Sequence, residues 1–493
     1  MDRIQLAEDV YRNKVFACWM GKNIGGTLGA PYEGRFYVND LDFYGQDLTE
    51  AIPNDDLDFQ LVWLKMLEDR GLDPALSDFA DYWRSHVAAY PWNEYGFCQR
   101  NLARGLRPPS SGAFENYYVD EMGSPIRSEI WACLSPGDPQ RAAELAWRDS
   151  ALDHAGGEGM FGEMFWAAVE SAAFVIDDPL TLIRIGLTMI PPASNISRVI
   201  REAVWCHENG HRWAEARERI FKWFGRNQPC NAVPNHGFMI LGWLYGADFG
   251  DRLCKAVNCG MDTDCTGATL GSVLGILGGT AGIPDRWLEP IGERIVLHKF
   301  TRPDGIPTSI GDLTDRTVAL ARRFVADRCE SVALADTAAL PDDALSLLFR
   351  NDLARTALAR DLTAASETCG DLVVTLHLNG DPVLLPAVTR VVEIGAAPRP
   401  GFDEAPGHDL TLEAPDGWQV DPLGDAGPRA RFAVRPPDAF ADARLTVGVD
   451  GNATPFLVLS PDESEGFPAG TNVEKCPRCH ARKEACICGK REE

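Results

Sequence analysis

Two stretches, FGEMFWAAVESAAFVI (residues 161–176) and ATLGSVLGILGGTAG (268–282), are apolar on most faces of a helix. Such helices cannot lie on a surface and need other helices around them. Small residues at Gly267, Ala268, Gly271, Gly275 and Gly278 would let a neighbouring helix approach the second stretch closely. The neighbours are also legible. VYRNKVFACWMGKNIGGTLGA (10–30) and LDFQLVWLKMLEDRG (57–71) carry apolar residues at helical spacing, and Gly71 suits a C-cap. DPQRAAELAWRDSALDH (138–154) opens on Asp138-Pro139, a cap followed by proline in the first turn. The pattern predicts an all-α multi-helix domain over residues 1–330.

The grammar changes near residue 370. DLVVTLHLNGDPVLL alternates and turns at Asn379-Gly380, and further short alternating runs follow between Pro, Gly and Asp turns. This predicts a β-sandwich-like accessory domain over 331–462. Within it, LTLEAPDGWQV resembles a segment of immunoglobulin-like modules appended to bacterial enzymes. The last stretch, 463–493, reads as a flexible linker and a cysteine tail. There Cys476, Cys479, Cys486 and Cys488 have the spacing C-x2-C-x6-C-x-C, which suits a closed, structural four-thiolate Zn2+ site resembling a zinc knuckle. The alternative is four free or oxidised cysteines. A closed site leaves no position for chemistry, so a role in docking a protein partner or holding a homodimer is expected of this C-terminal region. Three units agree with a chain of 493 residues, too long for one core.

Formal net charge is −25, which argues against nucleic acid or an anionic membrane as partner, since phosphate binding needs a basic face. The N-terminus has no apolar signal core, and no apolar run reaches transmembrane length. The remaining cysteines are scattered through apolar, helix-like context, as for reduced thiols, and a cytoplasmic location is expected.

Two acidic clusters each precede a buried helix: Asn54-Asp55-Asp56 in IPNDDLDFQLVWL, and Asp262 and Asp264 in GMDTDCTGATLG. Helix capping explains one acceptor at each start. It does not explain a pair. If the two helix starts converge, the clusters form an oxygen-rich site for Mg2+, Mn2+ or Ca2+, and four carboxylates neutralise two divalent ions.

Taken in order, five blocks resemble the ADP-ribosylglycohydrolase family of the dinitrogenase reductase-activating type. They are GKNIGGTLGAPYE (21–33), the Asn54–Asp56 cluster, GSPIR (123–127), His154 in RDSALDHAGG, and GMDTDCTG (260–267). The resemblance implies an all-α fold, a cleft holding two Mg2+ (or Mn2+) ions, and hydrolysis at the anomeric carbon of an ADP-ribosyl group on a small molecule or protein. Carried over by position, it implies Asn54, Asp55, Asp56, Asp262 and Asp264 as metal ligands. It implies Glu33 as base or metal-bridging acid, acting with Asp55 and Asp56. It implies Gly123, Ser124, Arg127 and His154 as substrate-binding, with Gly123, Ser124 and His154 where the family contacts phosphate and ribose; the alternative for Arg127 is a structural ion pair.

Departures stand at the same places. Asn54 and Cys265 replace hydroxyl ligands, Gly26 replaces an aspartate of the first block, and the GSPIR region is acidic, with Asp120, Glu121 and Glu129. Two further readings therefore accompany the first: a glycosidase for a smaller N- or O-riboside, and a ligand-binding member without catalysis. YPWNEYGFCQRN (90–101) offers aromatic residues for a sugar or base platform, or for the core.

Overall fold

The computed structural model describes residues 3–302, 304–399 and 407–461; the linker and the four-cysteine tail lie outside the described residues. The helical unit is organised around two helices, Glu8–Gly29 and Thr263–Gly278. They run antiparallel in direct backbone contact. A Cβ at Gly21 would stand 2.0 Å from the Gly271 carbonyl oxygen, one at Gly25 1.9 Å from that of Gly267, and one at Gly275 2.0 Å from that of Ala17. Gly29 meets Thr263 in the same way, 2.1 Å from its carbonyl oxygen. Small residues every fourth position on both helices thus set the register, and the end of one helix is held at the start of the other. Gly278, expected on this stripe, faces open space.

Around this pair pack the helices Asp55–Arg70, Pro139–Ser150, Glu158–Ala173 and Ala232–Tyr245, whose inner faces share one core with it. Trp19, Trp63, Trp131, Trp166 and Trp243 are among its largest fully buried side chains. A short strand β1 (Ile4–Ala7) pairs in parallel with β2 (Val332–Ala335) and ties the N-terminus to the end of helix Ile310–Arg328. Helices Ala344–Leu348 and Asp352–Leu358 follow, and Leu348, Ala354 and Ala357 belong to the helical core. The boundary expected at 331 therefore falls about thirty residues later. The runs before Ala364 carry apolar residues that cover the helical unit rather than a sheet.

The strand-rich unit comprises β3 (Ala364–Cys369), β4 (Leu372–His377), β5 (Arg390–Pro398), β6 (Leu410–Glu413), β7 (Gln419–Ala426), β8 (Arg429–Arg435), β9 (Ala443–Val449) and β10 (Asn452–Val458). A five-stranded antiparallel sheet, β3-β4-β5-β8-β7, and a three-stranded one, β10-β9-β6, enclose a second core. Val374, Val392 and Val434 come from the first sheet, Leu445, Val447 and Phe456 from the second. An all-α domain followed by an antiparallel β domain is thus the observed fold.

Candidate active site

The glycine-packed pair determines where the site lies. Helix Glu8–Gly29 ends in a tight turn, Ala30–Tyr32, and Glu33 follows it. The next residues are stitched to the loop before the second helix: Gly34 N–H donates to the Met261 carbonyl (2.9 Å) and Met261 N–H to that of Arg35 (2.5 Å). Gly260 has φ +80°, and a Cβ there would stand 2.5 Å from the Arg35 oxygen, so the turn admits only glycine. Glu33 is brought against Asp262 by this stitching. Glu33, Asp262 and Cys230 place ligand atoms within 4.8 Å of one another, and so do Asp56, Asp264 and Cys265.

Capping does not account for these acids. Asp262 occupies the N-cap position of helix Thr263–Gly278, yet its side chain makes no capping hydrogen bond. Both its oxygens are buried without a hydrogen-bond donor, as are both oxygens of Asp56 and Oδ1 of Asp264. At the other helix the cap is Asn54, whose side-chain oxygen accepts from the Asp56 N–H (2.8 Å). Asp55 and Asp56 are then surplus to capping. Buried carboxylate oxygens with no hydrogen-bond donor are costly unless protonated or bound to a cation. This donor set fits a divalent cation.

The electrostatics agree. Burial, then the neighbouring Asp264 and Asp58, pushes the Asp55 carboxyl up to about 7. Burial raises Asp56 well above the carboxylate range although Lys22 opposes it, and burial with Asp264 and Glu33 does the same to Asp262. Burial raises Asp264 as well. Asp58, one turn on, is raised to about 6 by burial, tempered by donation from Thr301, Tyr90 and the His298 N–H.

Lys22 has no counterpart in the sequence reading. Its ammonium is fully buried, 2.7 Å from Glu129 Oε1 and 3.9 Å from Asp56 Oδ1. Gln60 donates to the other Glu129 oxygen and to the Ile126 carbonyl (2.9 Å) and accepts from the Ile130 N–H (3.0 Å), so the pair is held from both sides. Burial works against the Lys22 charge, but Glu129 and Asp56 outweigh it and its pKa lies above the ordinary value. Lys22 sits in a helix of small residues, and nothing in the local pattern says which acid it will meet.

Beside the Cys230 loop runs the segment 119–124. It is joined to the Cys230 loop by hydrogen bonds from Met122 N–H to Cys230 (2.8 Å) and from Ala232 N–H to Asp120 (2.7 Å). Glu121 is buried here, with its carboxyl raised by burial and then by Glu94 and Asp120. A Cβ on Gly123 would stand 2.5 Å from the Tyr95 ring and 3.0 Å from Glu94 Cγ. Ser124 and Arg127, expected to face substrate, turn inward instead. The Ser124 hydroxyl is hydrogen-bonded to Glu163 and lies 2.9 Å from the Ser150 hydroxyl. Arg127 is fully buried and clamped by Asp153 (2.8 Å on two nitrogens) and Asp149 (2.8 Å), beneath Trp63 and Trp83. Three acids, Asp149 and Glu163 on the following helices and Asp153 in the turn between them, make the interior the lower-energy place for this guanidinium. His154 is fully buried, with Nδ1 3.1 Å from Asp153. The aromatic run 90–101 is core: Tyr90 and Tyr95 are buried, and their hydroxyls reach Asp58 (2.8 Å) and Asp55 (3.4 Å) from behind.

A profile of ADP-ribosylglycohydrolases matches residues 7–329, more than half of the chain. The chain belongs to the ADP-ribosylglycohydrolase family. An uncharacterized protein of Archaeoglobus fulgidus is 25% identical over 312 residues, 59% of this chain and 95% of that protein. Among solved structures, a chain of an ADP-ribosylglycohydrolase-related protein complex is similar at 20% identity and a TM-score of 0.41, over 64% of this chain and 99% of that one. Two departures from the ADP-ribosylglycohydrolase pattern are one structural event. A Cβ at Gly26 would stand 1.6 Å from Asn54 Nδ2, so the Asn54 amide fills the space in which a side chain at position 26 would begin.

Proposed function

We propose that this ADP-ribosylglycohydrolase family member is a divalent-cation-dependent glycosidase that hydrolyses the bond at the anomeric carbon of an ADP-ribosyl substrate. One observation carries the reading. Carboxylates from three separate stretches, Glu33, Asp55-Asp56 and Asp262/Asp264, converge at one end of the glycine-packed helices, several with buried oxygens that no protein donor satisfies. A binding protein without chemistry has no need to hold buried acids against their desolvation cost.

Asp55, Asp56, Asp262 and Asp264 would hold two Mg2+ or Mn2+ ions, with Asn54 beside them supplying the helix cap. Bound Mg2+ would supply hard-acid ligation for ribose hydroxyls and promote ionisation of water. Glu33 stands at the exposed lip of the cleft, with Cys230 Sγ 3.9 Å from its Oε1. It takes the proton from the attacking water as the water oxygen bonds to the anomeric carbon; the leaving group departs with the bonding pair and takes a proton from solvent. The surrounding carboxylates favour the positive charge that develops on the sugar. Glu121 and the rigid Gly123 turn bound the space left for the substrate.

Inward commitment of Ser124 and Arg127 favours a second reading, a smaller N- or O-riboside, because those side chains are not presented to a pyrophosphate. No described helix is long and apolar enough to cross a membrane. The ten described cysteines are all free thiols, which supports a reducing compartment.

Glu33→Gln tests the assignment of the base. Turnover is expected to fall at least about a hundredfold while Mg2+ affinity, read by calorimetry, stays within about threefold. Full turnover in that variant would remove Glu33 from the reaction.

A further inference from the structure

The centre is not all oxygen. Cys265 Sγ lies in one group with carboxylate oxygens of Asp56 and Asp264, and Cys230 Sγ in the other with Glu33 and Asp262. The first group is the enclosed one. Asp56 is fully buried, neither of its oxygens accepts a hydrogen bond, and its one ion-pair contact is Lys22 at 3.9 Å; Oδ1 of Asp264 is buried without a hydrogen bond, and Cys265 is 7% exposed. Cys230 is half-buried and adjoins the exposed Glu33. Cys265 sits in the first turn of helix Thr263–Gly278; burial, then the surrounding carboxylates, push its thiol pKa up, so a cation bound there has to displace the proton. A set of two carboxylates and one thiolate discriminates among cations differently from an oxygen cage. Mg2+ gains little from sulfur, whereas Zn2+, Co2+ and Cd2+ gain strongly.

We propose that Asp56, Asp264 and Cys265 form a carboxylate–thiolate site that takes a thiophilic divalent cation of the Zn2+ class in preference to Mg2+; this rests on the divalent-cation reading above. The step balances without an oxidant: the S–H bond breaks as the sulfur–metal bond forms, and the proton leaves to solvent. The thiolate then holds zinc more tightly than an all-oxygen centre of the same charge would.

The test uses the full-length chain with Cys476, Cys479, Cys486 and Cys488 changed to serine, so that the tail binds no metal, and Co2+ as the probe. A near-ultraviolet thiolate-to-cobalt charge-transfer band is expected, retained in Cys230→Ser and lost in Cys265→Ser. Co2+ affinity should fall at least about tenfold in Cys265→Ser while Mg2+ affinity moves less than about threefold. Cys265→Thr should behave as Cys265→Ser does, and an unchanged Mg2+ affinity in either variant shows that the cleft is folded. Co2+ bound without the band, or a band that survives in Cys265→Ser, overturns the proposal. Mn2+ titrated in parallel by its paramagnetic signal separates the two failures. Mn2+ bound without a cobalt–thiolate band sinks the thiolate ligand alone, and no binding of either ion sinks the cation site with it.

Discussion

Asp56→Asn and Asp262→Asn are expected to raise the melting temperature of the chelator-stripped protein and to lower turnover of the loaded protein by about a thousandfold, equivalent to ~4 kcal/mol of transition-state stabilisation. Both effects have one cause. The two carboxylates are buried, their oxygens have no protein donors, and each faces another acid of the cluster. Without a cation the folded chain pays for that crowding, and an isosteric amide relieves it by roughly 1–2 kcal/mol, a shift of a few degrees. Lys22 keeps Glu129 as partner in Asp56→Asn, so the substitution leaves no unpaired cation.

The pH dependence follows in sign. A carboxyl whose folded pKa is raised holds a proton that the unfolded chain has already released, so stability falls as pH rises between the two values. For Asp55 that window runs from the ordinary 3.8 to about 7. Melting scans of the stripped wild type should therefore decline across this window. The decline should be shallower in the two variants, and shallower again in the wild type with saturating Mg2+. A stripped wild type whose melting temperature is flat across the window would show that the acids do not repel one another.

Gly25→Ala and Gly271→Val are expected to cost more than ~3 kcal/mol each in urea unfolding, enough to leave little folded protein. A Cβ at Gly25 would lie 1.9 Å from the Gly267 carbonyl oxygen and one at Gly271 2.1 Å from that of Gly21. Neither neighbour can move without parting the two helices that hold Glu33 against Asp262. Gly278→Ala is the control, because nothing lies within 4 Å of its Cβ. It should be neutral or stabilising by up to ~1 kcal/mol, as alanine is the better helix former. Equal losses at all three positions would mean that the backbone contact does not determine the effect.

The fold was legible in sequence wherever one residue type carries one physical consequence. Fully apolar helices required a bundle, and alternating runs after residue 370 required sheets. The glycine spacing announced a close helix pair without naming the partner, since Gly21, Gly25 and Gly29 read equally well as a flexible end. The acid pairs were legible as surplus to capping, and the structure separates the roles: Asn54 caps, while the side chain of Asp262 caps nothing. Roles that depend on distant partners were not legible. Ser124 and Arg127 look like anion binders until Glu163 and Asp149 arrive from the next helices and Asp153 from the turn between them. Lys22 and Glu129 lie 107 residues apart, and only the bundle brings them together. The packing of residues 344–358 on the helical core was not legible, because the short helices Ala344–Leu348 and Asp352–Leu358 are too brief for periodicity to show.

The most direct test of the central claim is hydrolysis of a defined panel by the chelated chain, before and after Mg2+ is restored. The panel holds ADP-ribosyl-arginine, ADP-ribosyl-serine, O-acetyl-ADP-ribose and simple ribosides. The account predicts no turnover in chelator and release of ADP-ribose from at least one member when Mg2+ returns. Turnover confined to the ribosides would transfer the activity to the smaller substrate. Mg2+ binding with no turnover of any member, or turnover that chelator leaves intact, would contradict a cation-dependent glycosidase.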